Sequence, residues 1–160
     1  MWVGFSFAWM SHLYSVQRNG EGAYEQLRIF WESFCSPNGF HLNGDYKKRG
    51  YTTFHYRPFT LESNMYAADA LQEMLFQMRD GRMEFFPAIP EKWANSEVSF
   101  EGFRGENGIF VSAKKIPNNG CSITIMAEKK NQIQIHWIRT CVKLFFSENQ
   151  FRFRNIQESF

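Results

Sequence analysis

Proton transfer in a protein needs a carboxylate or an imidazole held in place. In this chain of 160 residues, the candidates are Glu62 beside a predicted helix boundary, Glu73 and His12 on helix faces, and His55 upstream of that boundary. Glu62 directly precedes Ser63-Asn64, two capping types that open a predicted helix. Unpaired N–H groups and the positive end of the helix dipole favour an ionised carboxylate there, which suits a base better than an acid. The plainer reading of Glu62 is a capping residue or one ion-paired with Arg57, and the residues alone leave both open. Glu73 lies farther along the same helix and reads as structural or solvated. His12 falls on an apolar face and reads as a core histidine.

Metal and thiol chemistry have little support. The histidines His12, His41, His55 and His136 form no H-x-x-x-H pair, and Cys35, Cys121 and Cys141 are odd in number, far apart and without C-x-x-C spacing. Neither a metal nor another cofactor is expected, and the thiols read as reduced and mostly buried.

The elements that must position these groups change character near Gly81. The run Phe5, Ala8, Trp9, Leu13 and Val16, with His12 on the same side, has helical spacing until Asn19-Gly20 breaks it. A second stripe at Ala23, Leu27, Phe30, Trp31 and Phe34 ends at Ser36-Pro37-Asn38-Gly39. The two predict a helical hairpin with Trp9 and Trp31 in its core. Residues 40–59 show no period and predict a long loop, a class that is often functional, with Lys47-Lys48-Arg49 as a solvated run. A third helix carries Ala67, Leu71, Met74, Leu75 and Met78 on one face and is expected to stop at Asp80-Gly81.

Beyond Gly81 the period becomes two, in Ile109-Val111-Ala113, Ile123-Ile125-Ala127, Ile133-Ile135-Trp137 and Val142-Leu144-Phe146. Asn107-Gly108 and Asn118-Asn119-Gly120 supply turns for antiparallel hairpins. The expected class is α+β with segregated layers: residues 1–80 helical, 81–148 β-rich and sandwich-like, and 149–160 an unassigned tail. Three helices so rich in Trp and Phe make a poor closed core, so further N-terminal helices, or failing those a second copy of the chain, are expected to cover them.

Composition excludes several classes. Eighteen Lys and Arg against sixteen Asp and Glu give a formal charge of +2, which with no aromatic stacking array argues against nucleic-acid binding. At 44% hydrophobic and 18% aromatic, the chain is not disordered. No apolar run reaches the roughly 18 residues of a membrane span, so no membrane partner is expected.

Several segments, taken in order, carry a resemblance. Gly4-Phe5-Ser6-Phe7-Ala8-Trp9 comes first, with Asn19-Gly20 and Ala23-Tyr24 after it. Arg57-Pro58-Phe59-Thr60-Leu61-Glu62-Ser63-Asn64-Met65 follows, then Leu71 to Gln77, then Phe86-Pro87-Ala88-Ile89-Pro90 ahead of Trp93. This series resembles glycoside hydrolase family 95 from about Trp2 to Ala113. The resemblance implies a six-hairpin (α/α)6 barrel, here its last three helices, followed by a β-sandwich. It also implies inverting hydrolysis of α-L-fucosides or related sugars, with a fucosylated oligosaccharide as substrate.

Under that resemblance Glu62 falls on the family's base, an aspartate there, and Asn64 on a neighbouring asparagine. The family's histidine falls at Tyr56, and His55, one place off, is carried over as a sugar contact. The general acid and the water-positioning asparagines lie upstream of the residues present, so the isolated chain is expected to be inactive. The reading from a different class is a non-catalytic module whose strand half binds sugar through exposed aromatics such as Trp93 and Trp137, or else packs against a partner.

Overall fold

The structure, a computed structural model, describes residues 1–118 and 120–127 with their side chains. It describes 131–136, 143–146 and 151–153 as backbone strands. Trp137, Cys141, Val142 and most of the 149–160 tail lie outside the described residues. The chain forms two compact units, one of Met1–Met74 with Ala88–Pro90, the other of Leu75–Pro87 with Glu91–Phe160. Helices lead and strands follow, which is the α+β order read from the sequence.

In the first unit, helix α1 spans Gly4–Val16 and helix α2 spans Gly20–Ile29, joined by three residues. The Asn19 side chain caps α2 by accepting from the Gly22 N–H at 2.9 Å. The inner face of α1 differs from the expected one: Gly4, Phe7, Ala8, Ser11 and Ser15 are buried, while Phe5, Trp9 and Val16 are exposed. Small side chains win this face because they let α2 come close. The Ser11 hydroxyl donates across the interface to the Ala23 carbonyl at 2.8 Å, and Ser15 donates to the Ser11 carbonyl at 3.0 Å.

On α2 the expected stripe holds through Ala23, Leu27 and Phe30. The helix then widens to a π-helical turn over Phe30–Phe34, which buries Phe30, Ser33 and Phe34 and leaves Trp31 42% exposed. Neither Trp9 nor Trp31 is a core residue. Helix α3, Glu62–Leu75, turns Ser63, Ala67, Ala70 and Met74 inward. It meets α1 through Tyr66, whose ring lies 5.2 Å from Phe5 and 5.6 Å from His12. His12 is half-buried, with Nδ1 3.3 Å from the Asp69 carboxylate.

The third helix stops at Leu75, short of Asp80. Phe76–Arg79 (β1) and Arg82–Phe85 (β2) are strands paired antiparallel, with Arg79 opposite Arg82. Asp80 and Gly81 both take positive φ, 52° and 74°, so the dipeptide is the turn of a tight hairpin. Met78, read as the last apolar position of the helix, instead faces Met83 across the hairpin.

After the short helix α4, Glu91–Ala94, strands β3 (Val98–Arg104), β4 (Ile109–Ile116) and β5 (Gly120–Ala127) form an antiparallel meander. Asn107, Gly108, Asn118 and Gly120 take positive φ at its turns, as their types foretold. Strands β6 (Asn131–His136), β7 (Lys143–Phe146) and β8 (Phe151–Phe153) complete two four-stranded sheets, ordered β1-β2-β6-β8 and β3-β4-β5-β7. These last strands join in parallel, β2 to β6, β5 to β7 and β6 to β8, a pairing that hairpin turns alone do not foretell.

The core of the second unit is aliphatic and aromatic. Ile109, Val111, Ile123 and Ile125 are wholly buried, beside a cluster in which Phe100 stacks on Phe103 at 4.5 Å and meets Phe76 at 5.9 Å and Phe86 at 5.6 Å. Every Phe and Trp of this unit up to residue 127 is buried or half-buried, Trp93 included.

Candidate functional site

The long loop of the first unit is organised from within by one buried carboxylate. Asp45 accepts from the N–H groups of Arg49 at 3.0 Å, Gly50 at 2.9 Å and Tyr51 at 3.1 Å. Its own N–H donates to the Phe54 carbonyl at 2.9 Å. An Asp a few residues ahead of a glycine reaches these amides with its short side chain, which is how this residue type builds a local turn. Gly44 lets the two arms of the loop touch: a Cβ there would strike the Tyr56 carbonyl and lie 3.0 Å from that of Phe54.

Tyr46 anchors the loop to the helices by donating to the Cys35 carbonyl at 2.8 Å, and Lys47 and Arg57 each place their charge 5.3 Å from its ring. Lys47 also donates to the Glu32 carbonyl at 2.6 Å, and Arg49 pairs with the Glu32 carboxylate at 3.0 Å. The basic run thus binds the loop down at two of its three positions.

The neck of the loop is built on His41, which is wholly buried. Its Nδ1 lies 2.6 Å from the Thr60 hydroxyl and 3.1 Å from the Thr60 carbonyl, and its ring stacks on Phe30 at 5.2 Å. Gly4 makes room, since a Cβ there would fall on the imidazole. Burial holds His41 below the ordinary histidine range, against the Thr60 hydrogen bond and the charge of Glu62, which both act to raise it.

The three residues carried over from the sequence take distinct positions. Glu62 opens α3 and is exposed, with no hydrogen bond or ion pair to a described residue; Arg57, the partner weighed for it, lies over Tyr46 instead. Asn64, two residues on, has its amide engaged at both ends. Its Oδ1 accepts from the His41 N–H at 2.8 Å and its Nδ2 donates to the Gly39 carbonyl at 2.8 Å. Ser63 is buried without a hydrogen-bond partner, so neither side chain of the Ser63-Asn64 pair caps the helix as expected. His55 is exposed, and its Nδ1–H donates to the Asp45 carbonyl at 2.9 Å. That bond leaves Nε2 as the free lone pair. Glu62 and Asn64 share the first turn of α3, whereas His55 is tied to the Asp45 turn and not to either of them.

Leu61 and Met65, close to Glu62 in the chain, are exposed apolar side chains, as are Tyr56 and the Phe40–Phe59 pair, whose rings meet edge to face at 5.2 Å. Glu73 is eleven residues along the same helix, about 16 Å at 1.5 Å per residue. That exceeds the separation of about 6.5–9.5 Å at which two carboxylates flank a water in an inverting glycosidase. Sequence reasoning missed His41, Thr60 and Asp45. Of these, only Asp45, ahead of a Gly-containing polar turn, carried a local signal.

Among the described residues no group of three or more His, Cys, Asp or Glu is arranged to hold a metal ion, and no helix is long and apolar enough to cross a membrane. No family model matches the chain. It is similar to alpha-L-fucosidase 2 of Arabidopsis thaliana, with 28% identity over 127 residues. The match takes in 79% of this chain and 15% of that protein, so the chain spans about a seventh of the length of this curated relative.

Proposed function

We propose that the chain is a segment of a glycoside hydrolase of the α-L-fucosidase kind, in family 95. Residues 1–80 would supply the last helices of the catalytic barrel, and the strands would supply the start of the domain that follows. The observation that carries this reading is the 127-residue similarity to the plant fucosidase, which takes in 79% of the chain. Helices and strands in that order, and a carboxylate opening the last long helix, support it.

In the inverting reaction Glu62 would take a proton from water as the water oxygen bonds to the anomeric carbon. The bond from that carbon to the leaving oxygen breaks, and an acid elsewhere in the enzyme protonates the leaving oxygen. The position of Glu62 suits a general base, because a carboxylate at the positive end of a helix dipole, unpaired and open to solvent, is able to meet a water. Asn64 spends its amide on the loop backbone, so under this reading it fixes the turn that carries Glu62, and the open Nε2 of His55 is the loop's candidate sugar contact. The exposed face of α1, with Phe5, Trp9 and Val16, would pack on other helices of the barrel.

The general acid is not among these residues, so the purified chain is expected to leave an aryl α-L-fucoside intact. Replacing the matching segment of the Arabidopsis protein by this chain supplies the rest of the site. That chimera is expected to turn over the same substrate, and Glu62→Gln to slow it by about 10²–10⁴-fold. Equal turnover with and without the substitution, in chimeras of equal folded content, rules Glu62 out as the base. Turnover by the isolated chain, abolished by Glu62→Gln, overturns the view of it as an incomplete site.

A further inference from the structure

The loop is closed at residues 41 and 60. The Thr60 N–H donates to the His41 carbonyl at 3.4 Å, and the His41 imidazole binds the Thr60 carbonyl and hydroxyl through Nδ1. The His41 N–H ends on Asn64 of α3, and the Leu42 N–H on the Phe34 carbonyl at 2.7 Å. One buried residue therefore joins both arms of the loop, the π-helical turn and the first turn of α3, the ring through Thr60 and Phe30 and the backbone N–H through Asn64. With Nδ1–H donating to the Thr60 carbonyl, the unprotonated nitrogen is Nε2. It is buried, it has no hydrogen-bond partner, and the space in front of it is taken by Gly4.

A second proton on this ring has nowhere to point. α1 presents Gly4 and no ionisable group before His12. The π-helical turn presents Phe30 and Phe34, and its Glu32 is held by Arg28 at 2.7 Å and Arg49 at 3.0 Å. On the loop, the Asp45 carboxylate is held by three amides, and Thr60 is neutral. From α3 come neutral Asn64 and the exposed carboxylate of Glu62, the one charge that favours the imidazolium. A buried cation with an unsatisfied donor is costly, and opening the neck lets water solvate it.

We infer that His41 is an acid-operated latch: proton uptake at Nε2 expels the ring from its pocket and frees the loop between His41 and Thr60 while α1 and α2 stay folded. The latch stands on the loop geometry and does not depend on the glycosidase reading.

Hydrogen exchange on the intact chain tests it, with rates corrected for intrinsic exchange, from about pH 7 down to about pH 5, above the ordinary carboxylate range. One proton is taken up on opening, so the opening constant at the Leu42, Asp45 and Thr60 amides should rise by up to tenfold per pH unit below about 6.5. The amides of Leu27 and Phe30 should stay level. His41→Gln should abolish the slope, and Thr60→Val should raise opening at every pH while keeping the slope. If His41→Gln does not fold, the wild-type ring proton resonances suffice: His41 should titrate only together with loop opening. Level protection across the range, or His41 titrating near 6.5 with the neck amides still protected, overturns the latch. So does exchange of the α2 amides in step with the loop.

Discussion

Gly20 opens α2 against the chain segment Ala88–Pro90, within the same compact unit. A Cβ at Gly20 would lie 2.5 Å from the Ile89 carbonyl carbon and 2.8 Å from the Ala88 carbonyl oxygen. Ordinary contact is about 3.5–4.0 Å, so Gly20→Ala must push one backbone from the other by roughly 1 Å. Both atoms are backbone, and no rotamer change relieves the overlap. Overpacking of this kind costs about 1–3 kcal/mol, and the better helix propensity of Ala returns at most about 1 kcal/mol, less at a helix start. The net loss is about 2 kcal/mol.

The control is Gly22→Ala, two residues on, where the new Cβ meets the side chains of Tyr14 at 2.8 Å and Asn19 at 2.9 Å. Those side chains can give by a fraction of an ångström at some cost to the Asn19 cap, and the helix gain of about 0.5–1 kcal/mol offsets part of that, so the net loss stays below about 1 kcal/mol. In urea unfolding followed by far-UV circular dichroism, with a slope of about 2 kcal/mol per molar, Gly20→Ala should lower the midpoint by about 1 M and Gly22→Ala by less than about 0.5 M. Equal midpoints for Gly20→Ala and the wild type refute the docking of Ala88–Pro90 on the start of α2, and with it the steric origin of the loss.

Asn64→Ala strands the buried His41 N–H, while water can take its place at the exposed Gly39 carbonyl, so a loss of about 1–3 kcal/mol is expected. Asn64→Asp, which keeps the acceptor, should lose less, and equal losses in a urea titration would show that the His41 bond carries nothing. The Cys35 thiol is pushed up to about 11 by burial, against the nearby charge of Lys47. Near pH 8 it should then be only about one part in a thousand thiolate. Alkylation of the folded chain followed by peptide mass analysis should find Cys121 labelled well before Cys35, and labelling in the reverse order would contradict the buried site.

Helix breaks were legible where one or two residue types decide them, as at Asn19-Gly20 and at Ser36-Pro37-Asn38-Gly39. The end of α3 was not, because Asp-Gly after an apolar run serves equally as a helix stop and as a hairpin turn. Only pairing across it, Phe76 with Phe85 and Met78 with Met83, decides between them. The α1 face was misread because hydrophobicity ranks Trp9 above Ser11, whereas close helix packing ranks side chains by volume. The candidate site divides along the same line. That Glu62 opens a helix follows from its neighbours in sequence, but the role of His41 depends on Thr60 and Gly4, which the sequence separates from it and only the fold brings near.

The inward serines and outward aromatics of α1 reverse the usual map of mutational tolerance. In a library of single replacements scored on folded yield of this chain, conversion of Trp9 or Val16 to polar residues should be accepted or even enriched. Ala8→Val, Ser11→Thr and Ser15→Thr should be depleted, although each such change makes the helix more hydrophobic. Selection read from such a library would therefore track side-chain volume on one side of α1 and solubility on the other, and a hydropathy score would misrank both.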